Sequence, residues 1–277
     1  MILKSEYTLK KFIVLIVLTN DRLIVSKNNK LFVYDLLTNN YSFIVSLPCS
    51  PLISFFSKFK ILSRLFRLGV RLAVPLSEDK ILVVFNKLFF EVSIFDKSYE
   101  VVFNLPRGNR PLSIAKVDCI DGFDNTLYFG EYFSNLQRDK VNVYKRLPDG
   151  CWVIVYTFPE DTIEHIHAII PDNYRECLWI LTGDFDKASG IWMVKDNFNE
   201  VKPILVNNQK FRACVAFPEQ EGLVYATDSQ FEKNSIRLLR KNNGEWVSDF
   251  ICEINGPAIY GCKVKNDLFF FHFSRGI

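Results

Sequence analysis

His165-Ile166-His167-Ala168-Ile169-Ile170, Cys177-Leu178-Trp179-Ile180-Leu181-Thr182, Gly190-Ile191-Trp192-Met193-Val194 and Glu200-Val201-Lys202-Pro203-Ile204-Leu205-Val206 form one unit of four short runs. Each run is rich in β-branched and aromatic residues and too short for a globular helix, so each reads as a strand. Asp196-Asn197-Phe198 separates the third run from the fourth. Asp and Asn tolerate left-handed backbone angles, so a hairpin fits there.

The unit repeats on both sides. Before it lie runs at 111–117, 126–132, 141–146 and 151–158; after it come 211–217, 222–227, 235–240 and 245–251. Pro148-Asp149-Gly150 and Asn242-Asn243-Gly244 occupy the same third turn. Runs at 258–264 and 267–273 begin a further unit. The N-terminal half fits the scheme at 12–18, 22–26, 30–35 and 41–47, then at 70–75, 80–85, 87–95 and 99–105. The first three units close alike, on Leu47-Pro48, Leu105-Pro106 and Phe158-Pro159.

Four-stranded units recurring at about 45–55 residues with no helices between them predict an all-β chain. The expected architecture is a single β-propeller domain over residues 1–277, with five to six blades and an incomplete last one. Residues 2–9 would supply the missing strands. A sandwich would not explain the register of the repeats.

One stretch breaks the pattern. In 52–68, Leu52, Phe55, Phe56, Phe59, Leu62, Leu65 and Phe66 recur at helical steps, and Lys58, Lys60, Arg64 and Arg67 make the segment basic. It predicts an inserted amphipathic helix, packed on the rim or touching a membrane surface or a protein partner.

Composition narrows the function classes. The 49% hydrophobic content and 26 Phe residues supply a sizeable core. A net charge of +3, with no basic block interleaved with aromatics, argues against nucleic acid. The seven cysteines are scattered and never in CxxC spacing, so reduced core thiols are expected rather than zinc fingers or a disulfide frame. The apolar run 12–18 is shorter than a membrane span. Lys4, Lys10 and Lys11 precede it, yet Asn20-Asp21-Arg22 follows in place of a small-residue cleavage site. It reads as a buried strand, and the chain as cytoplasmic.

Second strands in such units end on one face, and three of them deliver a carboxylate there: Glu131, Asp184 and Asp228. The entries of the first strands bring Arg110, His165, His167, Arg212 and Tyr260 to the same face. His165 and His167 share a strand face by alternation. The pair has three readings: mutually satisfied core rings, a general acid or base, or a divalent-metal pair with Glu131 or Asp184. No metal is assigned, so the expected cofactor is none or a divalent ion.

The turns Asp149-Gly150-x-Trp152 and Asn243-Gly244-x-Trp246 resemble the Asp-box turns of BNR-repeat, sialidase-like propellers. Gly130-Glu131-Tyr132-Phe133, His165-Ile166-His167, Thr182-Gly183-Asp184, the segment 209–212 and Thr227-Asp228-Ser229 resemble an uncharacterised bacterial and archaeal family of BNR-like propellers. The likeness runs over 110–273 and implies a polysaccharide setting with a carbohydrate ligand. Guanidinium groups match carboxylates bidentately, so Arg110, Arg138 and Arg212 are the expected partners of an acidic sugar, with Tyr132, Asp228 and Tyr260 lining the pocket. A hydrolase or lyase would use His165, His167, Glu131 and Asp184. A non-catalytic glycan-binding propeller and a protein-interaction propeller are the rivals.

Overall fold

The computed structural model describes residues 12–51, 69–265 and 267–272. The predicted helix at 52–68 and the completing segment at 2–9 lie outside them. Within them the chain is all-β, and nearly every predicted run is a strand.

Contacts divide the chain into two units, Met1–Arg110 and Pro111–Ile277. The first holds two four-stranded meanders: β1 Ile13–Val17, β2 Arg22–Lys27, β3 Lys30–Asp35 and β4 Asn40–Ser46, then β5 Leu72–Pro75, β6 Lys80–Phe85, β7 Leu88–Ser93 and β8 Ser98–Asn104. Every neighbouring pair is antiparallel. The two sheets share one core, in which Ile24, Leu31, Ile81, Val83, Phe90 and Val92 are buried. β1 corrects one expectation, because it is a strand but not a buried one: Val14 and Val17 are exposed.

The second unit continues the pattern. Its first sheet is β9 Ala115–Lys116, β10 Leu127–Gly130, β11 Val141–Arg146 and β12 Trp152–Phe158. Its second is β13 His165–Asp172, β14 Cys177–Gly183, β15 Gly190–Lys195 and β16 Glu200–Val206. Its third is β17 Ala213–Glu219, β18 Gly222–Thr227, β19 Asn234–Asn242 and β20 Glu245–Ile254, followed by the hairpin β21 Ala258–Val264 and β22 Asp267–His272. Strand β14 is buried along its whole length. Its alternate side chains explain why: Leu178 and Ile180 pack towards the sheet before, Trp179 and Leu181 towards the sheet after. The first strands of successive sheets adjoin, β13 with β9, β13 with β17, and β17 with β21.

The predicted turns carry the expected backbone. Asn243 and Gly244 both have positive φ, 50° and 87°, as a two-residue hairpin turn needs. Asp196, Asn197 and Phe198 are all left-handed. The thiols depart from expectation. All seven are unpaired, but only Cys177 is buried, while Cys119, Cys151, Cys252 and Cys262 are exposed. Cys119 and Cys151 lie between strands, Cys252 on the fourth strand β20 and Cys262 on β21.

Candidate functional site

The site lies in the second unit, where β13 and β17 begin and β14 and β18 end. His165 opens β13 opposite Gly183, the last residue of β14. A register shift between Ile166 and Ala168 places a bulge at His167. The two rings meet there, Nε2 to Nε2 at 3.1 Å. Both are buried, 3% and 2% exposed. Gly183 permits the fit, because a Cβ at that position would collide with the His167 ring.

Asp184 follows directly. Its Oδ1 lies 3.1 Å from His167 Nε2 and its Oδ2 3.4 Å from His165 Nε2. The Arg212 guanidinium approaches Oδ1 at 2.8 Å and donates to the Asp184 carbonyl at 2.9 Å. Burial pushes the Asp184 carboxyl up, and the neighbouring His165 and His167 rings pull it down by more. The group is held well below the usual carboxylate range.

Arg212 precedes β17, after the 3-10 turn Gln209–Phe211, which Asn208 caps by accepting from Lys210 N. The same guanidinium reaches Asp228 Oδ2 at 3.5 Å. Cys214 donates to that oxygen at 3.2 Å and lies 3.4 Å from His167 Nδ1. Burial and the neighbouring Asp228 raise the Cys214 thiol well above its ordinary value, so it stays protonated.

The sequence-predicted residues divide. His165, His167, Asp184, Arg212 and Asp228 converge. The Tyr132 ring packs on His165 with centroids 4.4 Å apart. Glu131 has its backbone beside the cluster, since its carbonyl accepts from Ile166 N. Its carboxylate turns into its own sheet and accepts from Asn142 N at 2.8 Å and Tyr144 OH at 3.3 Å. Arg138 pairs with Asp161 at the surface. Tyr260 is exposed on β21. Arg110 is the last residue of the first unit and is half-buried.

Sequence reasoning missed four contributors. Glu164 Oε2 accepts from Asp184 N at 3.3 Å. Gln209 donates to the Asp184 carbonyl at 3.0 Å and accepts from Ser229 Oγ at 3.0 Å. Cys214 was read only as a core thiol. The signal available was adjacency, since each lies within three residues of a residue already singled out.

Next to the cluster is a pocket of about 510 Å³. Its walls include Leu136, Phe185 and Phe231, with Arg138, Lys187, Glu164 and Gln209 among them. Phe185 and Phe231 are exposed and stacked, with centroids 6.1 Å apart and planes at 27°.

No family model matches the chain, and no curated protein does. Solved structures do. One is the extracellular domain of the putative one component system BT4673 from B. thetaiotaomicron, at 14% identity and a TM-score of 0.63 over 96% of this chain. Another is the extracellular domain of the putative hybrid two component system BT4673 from B. thetaiotaomicron, at 14% identity and a TM-score of 0.59 over 92%. The chain spans about a third of each, 33% and 31%. At this identity the likeness is one of fold. Both neighbours are extracellular domains, and this overturns the cytoplasmic expectation. That expectation rested on the residues that follow the apolar run 12–18 and on scattered thiols, neither of which carries a physical signature of compartment in the folded chain.

Proposed function

We propose that the four-stranded sheets are propeller blades and that the pocket beside Asp184 binds a carbohydrate, without cleaving it. The observation that carries the binding reading is the stacked Phe185–Phe231 pair at the pocket mouth. Solvent-facing aromatic rings beside polar groups suit the apolar face of a sugar ring, and the walls carry charge of both signs, Arg138 and Lys187 with Glu164 and Glu232, which suits a polar, hydroxyl-rich ligand. Glu164 and Gln209 supply an acceptor and an amide for hydroxyl groups. The blade reading is supported by the ordered meanders, their adjoining first strands and the likeness in fold to the two solved domains.

Binding is favoured over hydrolysis for a geometric reason. Hydrolysis needs two carboxyl groups facing one bond; the Glu131 carboxylate accepts from Asn142 N and Tyr144 OH of its own sheet, and that of Glu164 accepts from Asp184 N. Titration calorimetry against acidic and neutral oligosaccharides tests the proposal. Saturable binding to at least one oligosaccharide of the panel is expected, weakened about tenfold or more by Phe185→Ala and by Phe231→Ala, as loss of a stacked contact worth about 1.4 kcal/mol would give. Release of reducing ends or unsaturated uronates would replace binding by catalysis. The absence of binding to every member of the panel would remove the proposal.

A further inference from the structure

The two buried histidines have their tautomers fixed by the backbone. His165 Nδ1 lies 3.2 Å from the Phe133 carbonyl, and His167 Nδ1 lies 2.9 Å from the Ala213 carbonyl. A carbonyl only accepts, so each Nδ1 carries the hydrogen. In the neutral rings both Nε2 atoms are then bare lone pairs. They face each other at 3.1 Å and face the Asp184 carboxylate at 3.1 and 3.4 Å. Three acceptors converging in a buried site repel one another unless positive charge lies among them. Charging a buried imidazole costs solvation, and Arg212 reaches only the Oδ1 side of the carboxylate.

We propose that His165, His167 and Asp184 bind a divalent transition-metal ion of the zinc class. The spacing fits. A tetrahedral ion with bonds of about 2.0–2.1 Å holds its ligand atoms about 3.3 Å apart; here the two ring nitrogens are 3.1 Å apart, and each meets one oxygen of the Asp184 carboxylate, Oδ1 at 3.1 Å from His167 and Oδ2 at 3.4 Å from His165. The surroundings fit as well. Metal-bound imidazoles hand their other N–H to a carbonyl or carboxylate, and a ligating carboxylate is itself hydrogen-bonded; Phe133, Ala213 and Arg212 fill those roles. The Asp184 side chain is 27% exposed, which leaves a path from solvent and room for a fourth ligand. A second grouping, His167 with Cys214 and Asp228, is close enough to compete. It would use His167 Nδ1, already committed to Ala213, and a thiol that donates to Asp228 instead of offering a thiolate.

The site does not depend on the carbohydrate reading and is tested apart from it. Chelator-treated full-length protein is titrated with zinc by calorimetry and with cobalt(II) by visible absorption. One equivalent is expected, with the ligand-field bands of a tetrahedral cobalt ion and no thiolate-to-cobalt charge transfer. His165→Gln and His167→Gln should each weaken binding more than about 100-fold, beyond the loss seen for outer-sphere partners. Cys214→Ser should still take up one equivalent and keep the tetrahedral cobalt bands. Wild-type protein that is folded by circular dichroism yet takes up neither ion would overturn the proposal. So would a charge-transfer band that disappears in Cys214→Ser.

Discussion

At the scale of single residues, two positions bear unusual demands. Gly183 has no room for a methyl group beside the His167 ring. Gly183→Ala is expected to displace that ring, to destabilise the protein by about 1–3 kcal/mol, and to weaken zinc uptake along with it. Urea unfolding and calorimetry on one preparation check both. Asp172 is the second. It is fully buried and accepts from Trp179 Nε1 at 2.8 Å, Arg175 Nη1 at 2.9 Å and Tyr174 N at 2.9 Å. Arg175 in turn donates to the carbonyls of Glu219 and Gln220, tying two sheets together. Asp172→Ala strands a buried indole N–H and the guanidinium. A loss of about 3 kcal/mol in unfolding free energy is expected from urea titration, with sugar and metal affinity unchanged.

At the scale of the element, strands and turns were legible because the local chemistry is self-consistent. The alternation of β14 fills the spaces on both sides of its sheet, and Asn243-Gly244 adopts the angles its residue types favour. What the pattern could not supply was side-chain direction. Glu131 and Asp184 sit at equivalent strand ends, yet the first is drawn into its own sheet by Tyr144 and Asn142 while the second meets two histidines. Their difference depends on neighbours more than ten residues distant in sequence. The turns also give a graded prediction. At Gly244, where nothing crowds an added Cβ, Gly244→Ala costs only the backbone strain of φ +87°, about 1 kcal/mol. At Gly222 the obstacle is the Leu239 carbonyl, which is main chain and cannot step aside. Gly222→Ala is expected to cost more, about 2–3 kcal/mol. Thermal unfolding of the two variants side by side ranks them.

At the scale of the whole molecule, the thiols make stability depend on alkaline pH. Burial raises the Cys177 thiol to about 12, with Asp172 adding to the effect. In the unfolded chain it ionises near 9, while in the folded protein it stays neutral. The folded state then holds more protons than the unfolded one, so stability is intact below pH 9 and falls between pH 9 and 12. Cys214 acts in the same direction. Cys177→Ala should flatten that fall in urea midpoints measured across the range. Alkylation of the native protein at pH 8, read by mass spectrometry, should mark exposed Cys119, Cys151, Cys252 and Cys262 and spare Cys177 until urea is added. One peptide bond joins the two ligand positions proposed above: Asp184 faces the histidines, and Phe185 walls the pocket. Gln209 grips the Asp184 carbonyl and lines the pocket too. An ion that turned Asp184 would act on Phe185, one peptide bond away, and so on the proposed saccharide pocket. By thermodynamic reciprocity, whatever factor zinc applies to saccharide affinity, saccharide must return to zinc.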